Sequence, residues 1–355
     1  MEGSNSDVQN IHYGDVLIKY GSIIDVESDD IPSIVKGKES KGTPYLRDGD
    51  VIIADTAEDE AVGKCCEIIN IAGAKVESGL HTIPCRPLAS FEPMYLGYYM
   101  NSQYYRKQLF PLMQGVKVLS ISKSNIGKTH LSAPSSHFEQ KKIAAMLHLI
   151  DMRISKQQRI IEVIKKYKRG AIAYILSGKY NELDAKSTWT EKTLADLCCE
   201  FRSGRNISAA LIHEAGDYPV YGGNGIRGYC DHYSHEGEYV VVGRQGALCG
   251  NVRLIQGRNY LSEHAIAVRA NEKNETKFLL YLLDFMNLGQ YSDQGAQPGL
   301  AVNKLLRLKC NVPEKKAQSK ISSFLQTFDK QIAAQEILLS FLTDQRRAFL
   351  QQLFI

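Results

Sequence analysis

The 355-residue sequence lacks the features that mark membrane and secreted proteins. It has no run of about 18 apolar residues, which a membrane-spanning helix requires. The polar residues 1–10 do not resemble the apolar stretch of a signal peptide. The eight cysteines form no Cys-x-x-Cys pair and no Cys/His spacing of a zinc site. We therefore expect reduced thiols, no bound metal and a cytoplasmic location.

Catalytic signatures are missing as well. The sequence contains no Walker loop, no nucleophile elbow and no Asn/Asp-Pro-Pro-Tyr/Phe motif of an amino-methyltransferase. The run Gly223-Asn-Gly-Ile-Arg-Gly228 matches Gly-x-Gly-x-x-Gly. A dinucleotide site needs a helix to open inside that run, whereas residues 229–238 show no apolar helical period, so we interpret it as a loop. We expect neither a catalytic residue nor a cofactor in this chain.

What the sequence does contain is a long stretch that occurs twice. Apolar residues recur in steps of four and three along residues 139–176, the period of a helix that packs along a partner helix. The same pattern recurs 178 positions later, and so does the polar residue that interrupts it, since Gln157 corresponds to Gln335. Chance would not reproduce both the apolar pattern and its polar interruption, so we interpret the repeat as an internal duplication. The seam residues are Ile143, Leu147, Ile150, Ile154, Gln157, Ile161, Ile164, Ile321, Leu325, Phe328, Ile332, Gln335, Leu339 and Leu342.

Each copy predicts a helix of roughly 38 residues, or about 57 Å. A stripe of that length must be covered, so we expect the two helices to form an antiparallel coiled coil within the chain, with pseudo-two-fold symmetry. Gln157 and Gln335 would then approach each other and fix the register. The alternative is that each glutamine points to solvent.

The remaining sequence predicts two mixed α/β globular domains, which gives an α+β fold. We expect a first domain at 1–135, a helix at 136–178, a polar linker at 179–188, a second domain at 189–313 and a second helix at 314–355. The apolar runs 51–54 and 239–243 predict buried strands in matching places. Residues 11–24 have β-rich character. The first domain shows no counterpart of residues 189–197, so its N-terminal part is either shortened or different.

Two similar domains on a rigid rod suit a target that repeats in space. Duplex DNA repeats about every 34–36 Å, so a rod of about 57 Å could place two domains on major grooves about one to two turns apart. Residues 139–181 carry ten Lys/Arg against three Asp/Glu. That surplus suits phosphates, although a solvated helix face explains the same charge.

Several strings resemble the DNA specificity (S) subunit of type I restriction–modification systems. They include Glu139-Gln-Lys-Lys-Ile-Ala-Ala-Met-Leu147, Lys165-Lys-Tyr-Lys-Arg169, Phe328-Asp-Lys-Gln-Ile332, Tyr218-Pro-Val-Tyr-Gly-Gly-Asn-Gly225 and Val240-Val-Val-Gly-Arg-Gln-Gly246. The resemblance covers nearly all of residues 11–355. It implies a non-catalytic subunit whose domains each read one half of a bipartite site in double-stranded DNA. It also implies that the helices act as a ruler and dock two methyltransferase subunits, which engage restriction subunits and carry the S-adenosylmethionine site.

The candidate DNA-binding residues are polar or aromatic side chains on Gly-rich loops and at strand ends. Arginine can bond guanine O6 and N7, and glutamine suits adenine N6 and N7. For Arg244 and Gln245 an exposed turn or a structural arginine explains the pattern equally well, and a solvated loop is the default for the lysines. The candidates are Lys36, Lys38, Lys41, Gln114, Lys117, Tyr221, Asn224, Arg227, Tyr229, Arg244, Gln245, Gln294 and Gln297.

Two other functional classes remain open. One is a protein–protein adaptor with a coiled-coil core, whose duplicated domains bind proteins. Phosphate contacts make DNA binding steeply salt-dependent, so a salt titration separates this alternative from a DNA-binding protein. The other is a self-contained enzyme, which the missing motifs disfavour.

Overall fold

The computed structural model of the chain describes residues 5–37, 44–177, 189–293 and 298–354. The chain forms two compact units. The first combines the residues up to Arg159 with those from Glu336 onward, and the second is Ile160–Gln335. The linker predicted at 179–188 lies outside the described residues. Among those that are described, no helix has both the length and the apolar character needed to span a membrane.

The first domain consists of short strands and helices that precede a long helix. A π-helical turn (Asp15–Lys19) and a 3-10 turn (Phe110–Leu112) supplement them. The elements are β1 (Asn5–Ile11), β2 (Ile23–Asp25), β3 (Ser33–Val35), β4 (Val51–Ala54), β5 (Thr56–Ala57), β6 (Cys65–Ile69), β7 (Lys75–Ser78), β8 (Thr82–Cys85), α1 (Tyr95–Met100), α2 (Gln103–Leu109), β9 (Leu119–Ser120), α3 (Lys123–Ile126) and the long helix α4 (His137–Leu176).

The central sheet of the first domain has the strand order β2-β6-β4-β8. Strand β4 is buried along its whole length, as its apolar run predicts. The β-rich pattern predicted for residues 11–24 is wrong over the π-helical turn. There the Asp15 carboxylate accepts a hydrogen bond from the His12 amide at 3.1 Å, and the Lys64 ammonium donates to the carbonyls of Leu17 and Tyr20 at 2.8 and 3.0 Å. These side-chain contacts satisfy backbone groups that a strand would have to pair elsewhere.

The second domain repeats this plan with longer strands. It also has 3-10 turns at Ala209–Leu211 and Leu288–Tyr291. Its elements are β10 (Thr190–Thr193), α5 (Leu194–Leu197), β11 (Cys198–Ser203), β12 (Tyr218–Gly222), β13 (Gly225–Cys230), β14 (His235–Glu236), β15 (Tyr239–Gly243), β16 (Val252–Ile255), β17 (Arg258–Leu261), β18 (Ala265–Ala270), α6 (Thr276–Phe285), α7 (Val302–Leu306), β19 (Lys309–Val312) and the long helix α8 (Lys315–Gln352).

Both domains share a three-stranded antiparallel core but differ in the strand that extends it. The core is β8-β4-β6 in the first domain and β18-β15-β16 in the second. Strand β2 joins the β6 edge in parallel, whereas β11 joins the β18 edge antiparallel. In the second domain β10 also pairs with β19. The corresponding residues 130–133 form no strand, and the Gln108 side chain bonds both the amide and the carbonyl of His130 instead.

The predicted antiparallel helix pair is confirmed within each unit. In the first unit Ala144 and Leu147 of α4 share a core with Leu350 of α8, and Asp151 pairs with Arg346 at 2.5 Å. In the second unit Lys168 pairs with Asp329, and Ile172 and Ile175 share a core with Ile321 and Leu325. Residue numbers rise along one helix as they fall along the other, so the helices are antiparallel.

The repeated seam coincides with the covered side of both helices. All fourteen seam residues are buried or half-buried, whereas neighbours such as Leu149 and Phe341 are exposed. Gln157 is buried in the first unit, and Gln335 belongs to the second unit. Their predicted approach to each other therefore stays a prediction.

A buried glutamine anchors the start of each long helix. The Gln140 amide donates to the Pro134 carbonyl at 2.8 Å and accepts from the Glu92 amide at 3.0 Å. In the second unit Gln318 donates to the Pro313 carbonyl at 2.9 Å and accepts from the amide of Glu275 at 3.0 Å. Each glutamine thus ties its helix to the loop that precedes the helix and to the domain beside it.

Candidate nucleic-acid interface

The Gly-x-Gly-x-x-Gly run of the second domain lies on a β-hairpin. Strand β12 ends at Gly222 and β13 begins at Gly225, which has a φ of +103°. A strand therefore occupies most of the run that we predicted as a loop, and no helix opens inside it. The predicted candidates Asn224 and Arg227 are exposed on this hairpin, while Tyr221 and Tyr229 are half-buried.

The hairpin turn packs directly on the end of strand β15. A Cβ atom on Gly223 would lie 2.5 Å from the Gln245 carbonyl oxygen, and one on Gly243 would lie 2.4 Å from the Gly223 carbonyl oxygen. Only glycine permits two backbones to approach so closely. This contact brings Asn224 and Gln245, which are far apart in the sequence, to one edge of the domain.

Arg244 and Gln245 leave strand β15 at this edge. The Arg244 amide donates to the His264 carbonyl at 2.9 Å, and its guanidinium lies 3.3 Å from the Glu263 carbonyl and 3.5 Å from that of Leu300. The Gln245 Oε1 lies 2.5 Å from the Nδ1 atom of His264. Both side chains are half-buried, so they are oriented by the fold and still reach the surface.

Two further arginines border the edge, and our sequence reasoning missed them. Arg205 is exposed, and its amide donates to the Leu261 carbonyl at 2.8 Å. Arg253 is exposed on β16, and its guanidinium would lie 2.9 Å from a Cβ on Gly225. Neither arginine stands in a Gly-rich string, and only the pairing of distant strands reveals their position.

The loop around the candidate Lys117 in the first domain is closed by two backbone hydrogen bonds. Gln114 and Ser120 bond each other at 2.9 and 2.8 Å, and this closure leaves Val116 and Lys117 exposed. In the second domain the Asp293 amide donates to the Gly299 carbonyl at 3.0 Å. The candidates Gln294 and Gln297, between these two residues in the sequence, lie outside the described residues.

The lysine loop of the first domain is described only at its start. Lys36 is exposed in the turn after β3. The candidates Lys38 and Lys41 lie outside the described residues.

From the sequence alone, His81 and His264 occupy matching strand positions, whereas in the structure both lie in turns. His81 has a φ of +56° and precedes β8, and His264 precedes β18. The His81 ring lies 3.2 Å from the Asp55 carboxylate, which also accepts a hydrogen bond from the Thr56 hydroxyl at 2.7 Å. The strand positions expected from the sequence are therefore wrong for His81 and His264, because each histidine lies in the turn before its core strand starts.

The described residues offer no metal centre. None of the described His, Cys, Asp and Glu side chains form a group of three or more that could hold a metal ion. All eight cysteines are free thiols. The polar chemistry of the candidate edge consists of guanidinium, amide and imidazole groups and the Glu263 carboxylate beside His264, which bind by hydrogen bonds and charge.

Comparison with known proteins identifies one family. The family model for the type I restriction modification DNA specificity domain matches residues 186–339. Over 159 residues, or 44% of this chain, the sequence is 43% identical to the type I restriction enzyme EcoprrI specificity subunit of Escherichia coli, and the match covers 38% of that protein. It is also 30% identical to a putative type I specificity subunit N-terminus of Mycoplasma pneumoniae, over 37% of this chain and 73% of that protein.

A solved structure shows the same fold. The crystal structure of the S subunit of a type I restriction–modification system from M. genitalium superposes with a TM-score of 0.62 at 19% identity, covering 89% of this chain and 85% of that one. At this identity the likeness concerns the fold alone. The chain spans less than half the length of the first three curated relatives that it matches, with shares of 38%, 36% and 45%.

Proposed function

The chain belongs to the DNA specificity subunits of type I restriction–modification systems, and from this membership we propose that it is the non-catalytic targeting subunit of such a complex. Each globular domain reads one half of a bipartite site in double-stranded DNA. The observation that carries the proposal is the placement of Arg227, Arg244 and Arg253 around the hairpin turn on β15. Arginines that reach the surface suit both phosphates and guanine edges.

The two domains share a scaffold and differ in the residues on it. A shared scaffold presents the same edge of each domain to DNA, and different side chains then read different bases. This combination supports a bipartite site with two unlike halves. The paired helices set the spacing between the halves.

The helices also present apolar side chains on their outer faces. Leu149 and Met152 are exposed in the first unit, and Val163, Tyr167 and Phe324 are exposed in the second. Contiguous exposed apolar residues commonly mark a protein interface. We propose that these faces dock two methyltransferase subunits, which engage restriction subunits and hold S-adenosylmethionine, so that this chain binds no cofactor itself.

A domain exchange tests the assignment. Residues 190–310 are replaced by those of another specificity subunit, the chain is combined with its cognate methyltransferase, and methylated sites are mapped by sequencing. We expect the second half of the site to change and the first half to stay the same. An unchanged methylated sequence would show that the second domain is not a reader.

The isolated chain provides a second test. We expect it neither to bind S-adenosylmethionine nor to methylate DNA until the methyltransferase is added. Its DNA binding should weaken steeply as salt rises, because phosphate contacts release counterions. Binding that does not respond to salt would favour the protein–protein adaptor instead.

A further inference from the structure

The two domains place one residue at the same point of the fold, where three segments meet. The Asp55 amide donates to the His81 carbonyl at 3.1 Å, and its carbonyl accepts from the Ile121 amide at 2.8 Å. In the second domain Arg244 makes the same two bonds, with His264 and Leu300, both at 2.9 Å. Asp55 and Arg244 are therefore structurally equivalent. We call the two positions the strand exits.

The strand exits adjoin the other surfaces that we assign to DNA. Ile121 follows directly on Ser120, which closes the exposed loop around Lys117. Leu300 follows on Gly299, whose carbonyl accepts from the Asp293 amide in the second domain. Each strand exit thus bonds a histidine turn on one side and one of these segments, at Ile121 or Leu300, on the other.

In the first domain the strand exit offers an acceptor. One oxygen of Asp55, Oδ1, is engaged by His81 and Thr56. The other oxygen bonds no described residue, and the side chain is 28% exposed. An ionised carboxylate accepts hydrogen bonds and donates none. In the major groove it therefore suits the amino groups of cytosine N4 or adenine N6.

In the second domain the strand exit offers donors. The His264 ring lies between two oxygens, with Nδ1 2.5 Å from the Gln245 Oε1 atom and Nε2 3.1 Å from the Glu263 carboxylate. In this orientation of the Gln245 amide, its Nε2 amino group bonds no described residue. The Nη2 group of Arg244 likewise bonds no described residue. The adenine preference of glutamine needs both ends of the amide. A guanidinium or amide donor suits the O6 and N7 acceptors of guanine instead.

We infer that the strand exits are base-reading centres of opposite polarity. Asp55 accepts from a cytosine or adenine amino group in one half-site, and Arg244 with Gln245 donates to guanine in the other. This inference rests on the proposed function, because it assumes that both domains read DNA. It adds which residues do so and which hydrogen-bonding class of base each recognises.

The test uses the full chain combined with its cognate methyltransferase. Methylation rates are measured on duplexes that carry every single base-pair substitution in each half-site. Asp55→Asn keeps the shape but adds a donor, and Gln245→Glu removes the donor. Each variant should lose about tenfold or more of its discrimination at one base pair of its own half-site. The other half-site should keep its preference, so each variant is the control for the other.

Glu58→Gln provides a further control, because it makes the same kind of charge-removing change at an exposed carboxylate of the same domain. It should leave both half-sites unchanged. If a variant complex methylates too slowly to measure, competition binding with the same duplexes gives the base preference directly. Unaltered preference in both half-sites would overturn the inference and leave the proposed function standing. A wild-type complex without any sequence-specific methylation would instead overturn the proposed function.

Discussion

Tyr281 donates a hydrogen bond to the carboxylate of Asp329 at 2.5 Å, and the same bond recurs in the first unit. There Tyr98 donates to Asp151 at 3.1 Å. Each aspartate also binds a cation from the other helix, Lys168 at 2.5 Å in one unit and Arg346 at 2.5 Å in the other. In each unit, one aspartate carboxylate thus links the globular domain to both long helices, α4 and α8. Burial and the neighbouring carboxylate raise the pKa of both phenols, which keeps them as donors.

Replacing the phenol should loosen the second domain from the helices. Tyr281→Phe removes a buried hydrogen bond to a charged group, so we expect a loss of about 1.5–3 kcal/mol in the free energy of unfolding. Urea unfolding measures this free energy. Tyr167→Phe is the control, because Tyr167 is 68% exposed in the same unit and should change stability by less than about 0.5 kcal/mol. Equal losses in both variants would refute a special role for this bond.

The seam can be tested at two adjacent residues of α8. Leu325 is fully buried, whereas Phe324 is 42% exposed. Leu325→Ala should cost about 2–5 kcal/mol because it opens a cavity, and Phe324→Ala should cost far less. Thermal unfolding of both variants gives the comparison. A larger effect at Phe324 would place the packed face of the helix one residue away from the predicted seam.

The helix anchors make a third prediction. Gln140→Leu keeps the volume but leaves the Pro134 carbonyl and the Glu92 amide without their partner. We expect a loss of about 1–3 kcal/mol for each buried group that stays unsatisfied. Gln158→Leu on the same helix is the matched control, since Gln158 is exposed. If denaturation midpoints of the two variants coincide, the anchor does not contribute to stability.

Glu67 should make the first unit sensitive to pH. The carboxylate is 2% exposed and accepts from the Met94 and Gly97 amides at 2.6 and 2.8 Å. Burial nevertheless raises its pKa from 4.5 to about 7. The folded state therefore binds an extra proton between these values, and its stability falls as pH rises through that window. The loss is on the order of 3 kcal/mol.

Glu67→Gln cannot titrate, so its unfolding free energy should vary less with pH between 4 and 8 than that of the wild type. Thermal unfolding at a series of pH values gives this slope. Glu27→Gln replaces an exposed carboxylate of the same unit and should retain the wild-type slope. A Glu67→Gln profile parallel to that of the wild type would contradict the raised pKa.

The sequence alone determined the helices, the duplication and the buried core strands. These features follow from local periodicity, because a side chain three or four residues along a helix must face the same partner. The offset of 178 residues then related the two copies position by position, so that Asp151 corresponds to Asp329. Local pattern also selected Arg244 and Gln245, since a buried strand followed by glycine predicts a surface-facing end.

Only the tertiary structure decided which distant residues meet. The glycine contact that brings Gly223 onto Gln245, the position of Arg253 and the equivalence of Asp55 with Arg244 all depend on strand pairing between segments far apart in the sequence. The sequence also did not show where the extra strand of each domain pairs, because β2 and β11 join opposite edges of the core. Hydrogen bonds across the sheet, which no local pattern encodes, select the edge.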